Sequence, residues 1–302
     1  MSSGSIKNVA VIGGSGKIGR FIVEALLQST HNYNVTVLSQ EQSAYSAPKG
    51  ARTVKVDYNN HSALVSVLKG QDAVVSAVGS AATRDQIKIA DAAIEAGVKR
   101  FIPAEYGTDK NYPGNPPERA PSFKAKQDVK DYLDGKIEWT GILTGPIFDL
   151  AFEEGFLGFD VHTRTARLDP NNRSSHFSAS SRSLVGRAVA QVLAPGIAPR
   201  TANKFVHVRS LTVSQDELLT ALEKITGEQW KVETVDYSSL VKDARKRLAQ
   251  GEYMAAIVLI QEAFLDPNAG NNWDERGVVS NKELDLPDEE GLEETLRIIL
   301  GA

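Results

Sequence analysis

The stretch Val9–Arg20, VAVIGGSGKIGR, constrains the fold more than any other part of the 302-residue chain. Val9–Ile12 is an apolar run long enough for one buried strand. Gly13, Gly16 and Gly19 follow at a spacing of three, and Gly14, Gly16 and Gly19 also satisfy G-x-G-x-x-G. A helical pattern begins at once, with Ile18, Phe21, Ile22, Ala25 and Leu26 on one face. Strand, glycine loop and helix in that order give the geometry that holds a dinucleotide pyrophosphate. The first glycine allows a tight turn, the middle one a close approach to phosphate, and the last close packing of helix on strand. Free N–H groups and the helix dipole then face the negative charge. The expected cofactor loop is therefore Gly13, Gly14, Ser15, Gly16, Lys17, Ile18 and Gly19.

The pattern that follows alternates short apolar runs with amphipathic segments. Strands are expected at Asn34–Leu38, Thr53–Val56, Ala73–Val78, Arg100–Pro103 and Glu138–Leu143. Helices are expected at about 61–69, capped by Asn60 or Ser62, at Gln86–Ala96 and at Ser122–Leu133. This alternation predicts an α/β fold, a Rossmann-type doubly wound parallel sheet with helices on both faces. Ligands then sit at the carboxyl ends of the strands, which places Gly79 on the same rim as the glycine loop. Residues 1–150 are expected to form the dinucleotide-binding domain. Residues 151–302, with looser patterning, are expected to form a smaller substrate-binding α/β part interleaved with it. There, Ser214 and Glu217 form a capping box for a helix that Gly227 ends. A closing helix is expected at Gly291–Leu300, and Met1–Ser5 reads as a mobile polar lead-in.

Composition removes several alternatives. The chain has no cysteine, which excludes disulfides, thiolate zinc sites and a cysteine nucleophile. Its five histidines are scattered without metal-ligand spacing, so no metal is expected. A formal net charge of −4 argues against nucleic acid as the main partner. No apolar run approaches the roughly 20 residues that span a bilayer, so no membrane partner is expected. The first strand begins too early to leave room for a signal peptide, and a cytoplasmic protein acting on a small molecule is the expectation. Nothing in the residues sets an oligomeric state.

Cofactor choice turns on the end of the second strand. An NAD enzyme places Asp or Glu there for the ribose 2′-hydroxyl. Here Ser39 and Gln40 occupy the position, which leans towards NADP, with Arg52 or Lys49 as sources of charge for a 2′-phosphate.

Two lysines are candidates for proton chemistry. Tyr106-x-x-x-Lys110 has the spacing of a catalytic pair, but it contains Gly107 and directly follows a strand. It lies on a loop and cannot present one helix face. Lys126 lies on the helix after the long 108–121 segment, whose Pro, Gly and charge predict an exposed binding loop. It either faces the nicotinamide or joins Lys124, Asp128 and Lys130 on a solvated face. Phe148, Phe152, Phe156 and Phe159 recur at roughly helical spacing, as either a core stripe or an aromatic pocket wall.

VAVIGGSGKIGR, AVVSAVG (Ala73–Gly79), AGVKRFIPAEYGTD (Ala96–Asp109) and FKAKQDVKDYL (Phe123–Leu133) together resemble the NmrA-like, isoflavone-reductase-like family, an atypical branch of the short-chain dehydrogenases. The resemblance covers roughly Val9–Phe152. It implies NADPH as cofactor and an aromatic or polyketide-like small molecule as substrate. The family's catalytic lysine, three residues after a phenylalanine, falls on Lys126 in Phe123-x-x-Lys126. Lys126, Pro146 and Phe148 are then expected at the nicotinamide, and Tyr106, Phe148 and Phe152 in the substrate pocket. The chain departs from the family at Ala104, where P-S-E-F-G has serine. It departs again at Ser39-Gln40, often arginine, and at Pro146, often asparagine. The implied activity is NADPH-dependent reduction of a secondary metabolite. One alternative follows from the same family, a dinucleotide-sensing regulator without turnover; the departures at Ala104 and Pro146 leave room for another, an enzyme that keeps NADP as a scaffold for a non-redox acid/base step.

Overall fold

Val9–Ile12 lies fully buried at the centre of a seven-stranded parallel sheet in the computed structural model, which describes residues 5–301. The strands are β1 (Asn8–Ile12), β2 (Asn34–Ser39), β3 (Arg52–Lys55), β4 (Ala73–Ser76), β5 (Arg100–Ile102) and β6 (Glu138–Leu143). The second half adds β7 (Phe159–Asp160), β8 (Thr165–Leu168), β9 (Phe177–Ala179), β10 (Lys204–His207), β11 (Leu211–Val213) and β12 (Lys231–Thr234). Helices α1 (Gly19–Gln28), α2 (His61–Leu68), α3 (Gln86–Glu95), α4 (Pro121–Leu133) and α5 (Phe148–Glu153) precede α6 (Arg182–Val192) and α7 (Gln215–Thr226). Helices α8 (Tyr237–Ala249), α9 (Ala256–Leu265) and α10 (Leu292–Leu300) complete the chain.

The sheet order is β3-β2-β1-β4-β5-β6-β10. The order reverses between β1 and β4, and this switch point opens the ligand crevice above the strand ends. The edge strand β10 comes from the second half of the chain and pairs in parallel with β6. Both faces of the sheet are covered, as a parallel sheet requires. On one face Ile22, Val23 and Leu26 of α1 join Leu184, Ala188 and Val189 of α6. On the other, Leu64 and Leu68 of α2 pack with Ile89 of α3 and Val129 of α4. Gly186 lets α6 approach α1, since a Cβ there would lie 2.4 Å from the Phe21 carbonyl oxygen.

Capping follows the sequence. The Asn60 side chain accepts from the Ala63 N–H at 3.1 Å, and Ser214 with Glu217 forms the capping box of α7. Such caps stabilise a helix by about 1 kcal/mol each.

A second core, built from Phe148, Phe152, Phe159 and Trp230, holds the small sheets β9–β11 and β7–β8–β12 against α7 and α10. The four-phenylalanine stripe is not one helix. Chain reversals at Gly155 and Gly158, both at positive φ, end α5 and put Phe159 on a strand stacked on Phe152 at 5.6 Å. The expected Ala73–Val78 strand also stops at Ser76, leaving Ala77 and Val78 to line the crevice.

The 108–121 segment departs from the exposed loop expected of it. Thr108, Asp109, Lys110 and Asn115 are buried. Asp109 accepts from Arg276 at 2.9 Å and meets His207 at 3.1 Å, while Asn115 donates to the Asp109 carbonyl at 3.1 Å. Partners contributed by the C-terminal segment satisfy the polar groups that composition alone assigns to solvent. The lead-in at Met1–Ser5 lies outside the described residues except for Ser5. Among the described residues no helix is long and apolar enough to cross a membrane.

Candidate active site

The glycine loop closes tightly over the end of β1. Gly13 has φ +77°, in the left-handed region, and the Gly16 N–H donates to its carbonyl at 2.9 Å. A Cβ on Gly16 would lie 3.1 Å from that oxygen, and one on Gly19 only 2.0 Å. Glycine is thus required at Gly19 by helix–loop packing, while the bare backbone at Gly16 faces an adjoining crevice of about 370 Å³. Gly13, Gly14, Ser15 and Gly16 line this crevice with Ser39 and Gln40 from the end of β2 and Gly79 from the loop after β4, the two strands that flank β1. A loop whose backbone is bare at Gly13, Gly14 and Gly16, just before a helix, suits a pyrophosphate.

Two members of the predicted loop set point elsewhere. The Lys17 ammonium is exposed and pairs with Glu154 rather than facing this crevice. Ile18 lines a neighbouring cleft instead. The charge beside Ser39 comes from neither Arg52 nor Lys49. In the β2–β3 register Ser39 stands opposite Lys55, and the Lys55 ammonium lies 3.4 Å from the Ser39 hydroxyl. It also donates to the carbonyls of Ser43 and Tyr45. The register of two strands joined by a long loop is not written in either strand, so sequence reading missed Lys55.

The neighbouring cleft, about 210 Å³, continues the rim past the ends of β5 and β6. Ser122 and Lys126, one turn apart on α4, both line it, as do Tyr106 and Pro146. The Lys126 side chain turns away from the solvated face formed by Lys124 and Asp128, which pair with each other. Its half-buried ammonium donates to the Glu105 carbonyl and packs beside Gly107, where a Cβ would lie 3.2 Å away. Burial lowers the Lys126 pKa to about 8; the Glu105 charge opposes the shift and the Lys110 charge adds to it. A lysine of this kind holds a proton near neutral pH and releases it readily.

Lys110 has a different role. Both it and Glu105 are 1 % exposed, and they pair at 2.9 Å with the Lys110 ammonium over the Phe205 ring. It is a buried structural ion pair, and Tyr106 and Lys110 do not share a helix. The 105–107 backbone is also tied to the loop after β6, since Thr144 and Gly145 donate to the Gly107 carbonyl at 3.0 and 3.1 Å.

Phe148 and Phe152 do not line this cleft. Both are sealed in the second core, because α5 turns them away from the rim. The aromatic wall is Phe156 with Phe264, whose rings meet edge-on at 5.8 Å, and Ile260 joins them. Ile260 and Phe264 sit on α9, which Arg119 anchors through Glu262 and Asp266, each at 2.6 Å. Of this wall, only Phe156 belonged to the phenylalanine series that the sequence offered as a pocket wall. The geometry therefore combines a phosphate-type cradle, a poised ammonium and an apolar cleft along one rim.

Residues 5–291 match the sequence model of the NmrA-like family. Oxidoreductase aprR of Aspergillus flavus is 34 % identical over 285 residues, covering 92 % of this chain and 94 % of that protein. Pinoresinol reductase 1 of Arabidopsis thaliana is 32 % identical over 246 residues, 73 % of this chain and 75 % of that protein. Among solved structures, AtPrR2 with NADP+ and (+)pinoresinol superimposes with a TM-score of 0.78 at 23 % identity, covering 98 % of this chain and 99 % of that one. The binary complex of leucoanthocyanidin reductase with NADPH from Vitis vinifera gives 0.77 at 23 % identity, covering 98 % and 100 %.

Proposed function

Because the chain belongs to the NmrA-like family, we propose that it is an NADPH-dependent oxidoreductase that reduces a small aromatic or polyketide-like secondary metabolite, with Lys126 as proton donor. The observation that carries this reading is the Lys126 ammonium, half-buried in the wall of an apolar cleft that Ile18 of the glycine loop also lines, held on the Glu105 carbonyl and with its pKa lowered to about 8. The names of its relatives, oxidoreductases and pinoresinol reductases, support the same class.

Gly13–Gly16 would hold the pyrophosphate, and Ser39, Gln40 and Lys55 the 2′-phosphate; Gly79 lines the same crevice after β4. When bound, NADPH supplies a hydride from its dihydronicotinamide. The apolar walls at Ile147, Leu150 and Phe156 exclude water and take up the flat body of the substrate. Lys126 delivers a proton to the atom on which negative charge develops, and the Glu105 carbonyl fixes its direction. Pro146 closes the rim beside it.

The test is NADPH oxidation, followed by absorbance, with a panel of aryl ketones, enones and benzylic ethers. Oxidation matched by product formation with at least one class supports the reading. Tight NADPH binding with no turnover across the panel would contradict it.

A further inference from the structure

Two residues that line the cleft carry hydroxyls that are shielded from solvent and have no hydrogen-bond partner among the described residues: Tyr106 Oη and Ser122 Oγ. Leaving a buried hydroxyl unpaired costs about 1–3 kcal/mol, and most buried polar side chains avoid it. Both belong to the same cleft as Lys126. Ser122 is four residues before Lys126 on α4, so the two share one helix face. Tyr106 directly follows Glu105, whose carbonyl receives the Lys126 ammonium. Burial pushes the Tyr106 phenol upward, which keeps it an O–H donor. The remaining wall is largely apolar.

We infer that Tyr106 and Ser122 form an oxygen-binding pair that seats the carbonyl oxygen of an aromatic ketone substrate beside Lys126. A ketone oxygen accepts two hydrogen bonds, one from each hydroxyl. The carbonyl carbon receives the hydride, with its two electrons, from the dihydronicotinamide. The π pair of the C=O bond moves onto oxygen, and the oxygen takes a proton from the Lys126 ammonium. The product is the alcohol, and the neutral Lys126 amine regains its proton from water. Donors aimed at the oxygen gain strength as its charge develops. The word substrate rests on the reductase reading; the oxygen-binding pair does not.

Two probes of matched shape separate the two claims: 2-acetylnaphthalene, and 2-isopropenylnaphthalene, in which CH2 replaces the carbonyl oxygen. Each is titrated by calorimetry into the full chain, with and without NADP+. The ketone is expected to bind at least fivefold more tightly than the alkene. Tyr106→Phe and Ser122→Ala should each weaken the ketone by about three- to tenfold, the range of one lost hydrogen bond. Alkene binding should stay within twofold. Tyr106→Phe should melt no lower than the wild type, because its hydroxyl contributes nothing to the free fold. Equal affinity for the two probes, equal losses for both in the variants, or no binding of either at its solubility limit would overturn the inference. Selective ketone binding without NADPH oxidation would support the pair and remove the reductase reading. Turnover of the ketone with unchanged affinity in Tyr106→Phe would keep that reading and remove the pair.

Discussion

The Lys126 ammonium donates to the Glu105 backbone carbonyl, while the carboxylate of the same residue is held by Lys110. One residue thus orients a proton donor with its main chain and has its charge spent elsewhere. Among the described residues Lys126 has no carboxylate partner of its own in the cleft, so burial governs its pKa.

That arrangement predicts the pH profile. A lysine with its pKa lowered to about 8 is protonated below that pH and loses its proton above it. With reduction dependent on the ammonium, kcat/KM should be level near neutrality and fall about tenfold per pH unit above the pKa. A profile level to pH 10 would show that Lys126 does not supply the proton.

The glycine cradle should be needed for the cofactor. Gly16→Val adds a branched side chain where a Cβ already lies 3.1 Å from the Gly13 carbonyl oxygen and faces the crevice. NADPH affinity, read by fluorescence titration, should fall at least about tenfold, the equivalent of roughly 1.4 kcal/mol. Circular dichroism should remain that of the folded chain.

Lys55 should set the choice between cofactors. It stands beside Ser39, and a charge-assisted hydrogen bond contributes about 1.5–3 kcal/mol. Lys55→Ala should weaken NADPH by about 10- to 100-fold and leave NADH within threefold. The NADPH loss should shrink at high salt, because the ion pair is screened.

Asp109 should make the fold sensitive to acid. Burial alone would raise its pKa, but hydrogen bonds from His207 and Arg276 hold the carboxyl well below the usual range. A group depressed in the folded state stabilises above its unfolded pKa, near 4 for aspartate, and that stability is lost as pH falls through the folded value. Asp109→Asn should lose about 3–5 kcal/mol at neutral pH by breaking a buried pair. Its melting temperature should also change less than that of the wild type below about pH 4.

Local chemistry was legible in the sequence, and long-range placement was not. The glycine loop, the Asn60 cap, the Ser214–Glu217 box and the α4 location of Lys126 each depend on neighbours within a few residues. So does the parallel sheet, whose alternation is a repeated local pattern. Lys55 was missed because β2–β3 register brings it to Ser39. Phe148 and Phe152 were misplaced because α5 turns them into the second core, a choice of face that depends on contacts from residues far along the chain, such as Phe177 and Leu218. Asp109 looks solvated in a polar stretch, and its partners lie far along the chain at Arg276 and His207; Lys110 pairs with nearby Glu105, but the Phe205 ring over its ammonium arrives from the second half of the chain. The α9 wall arrives from more than 100 residues away, held by Arg119.

The most direct measurement is the turnover of Lys126→Ala with any substrate that the wild type reduces, alongside its NADPH dissociation constant. Loss of the proton donor should lower kcat by about 10²–10⁴-fold. NADPH affinity should change by less than about fivefold, or roughly 1 kcal/mol, because the Gly13–Gly16 cradle is untouched. Turnover within threefold of the wild type would contradict the assignment of the proton to Lys126.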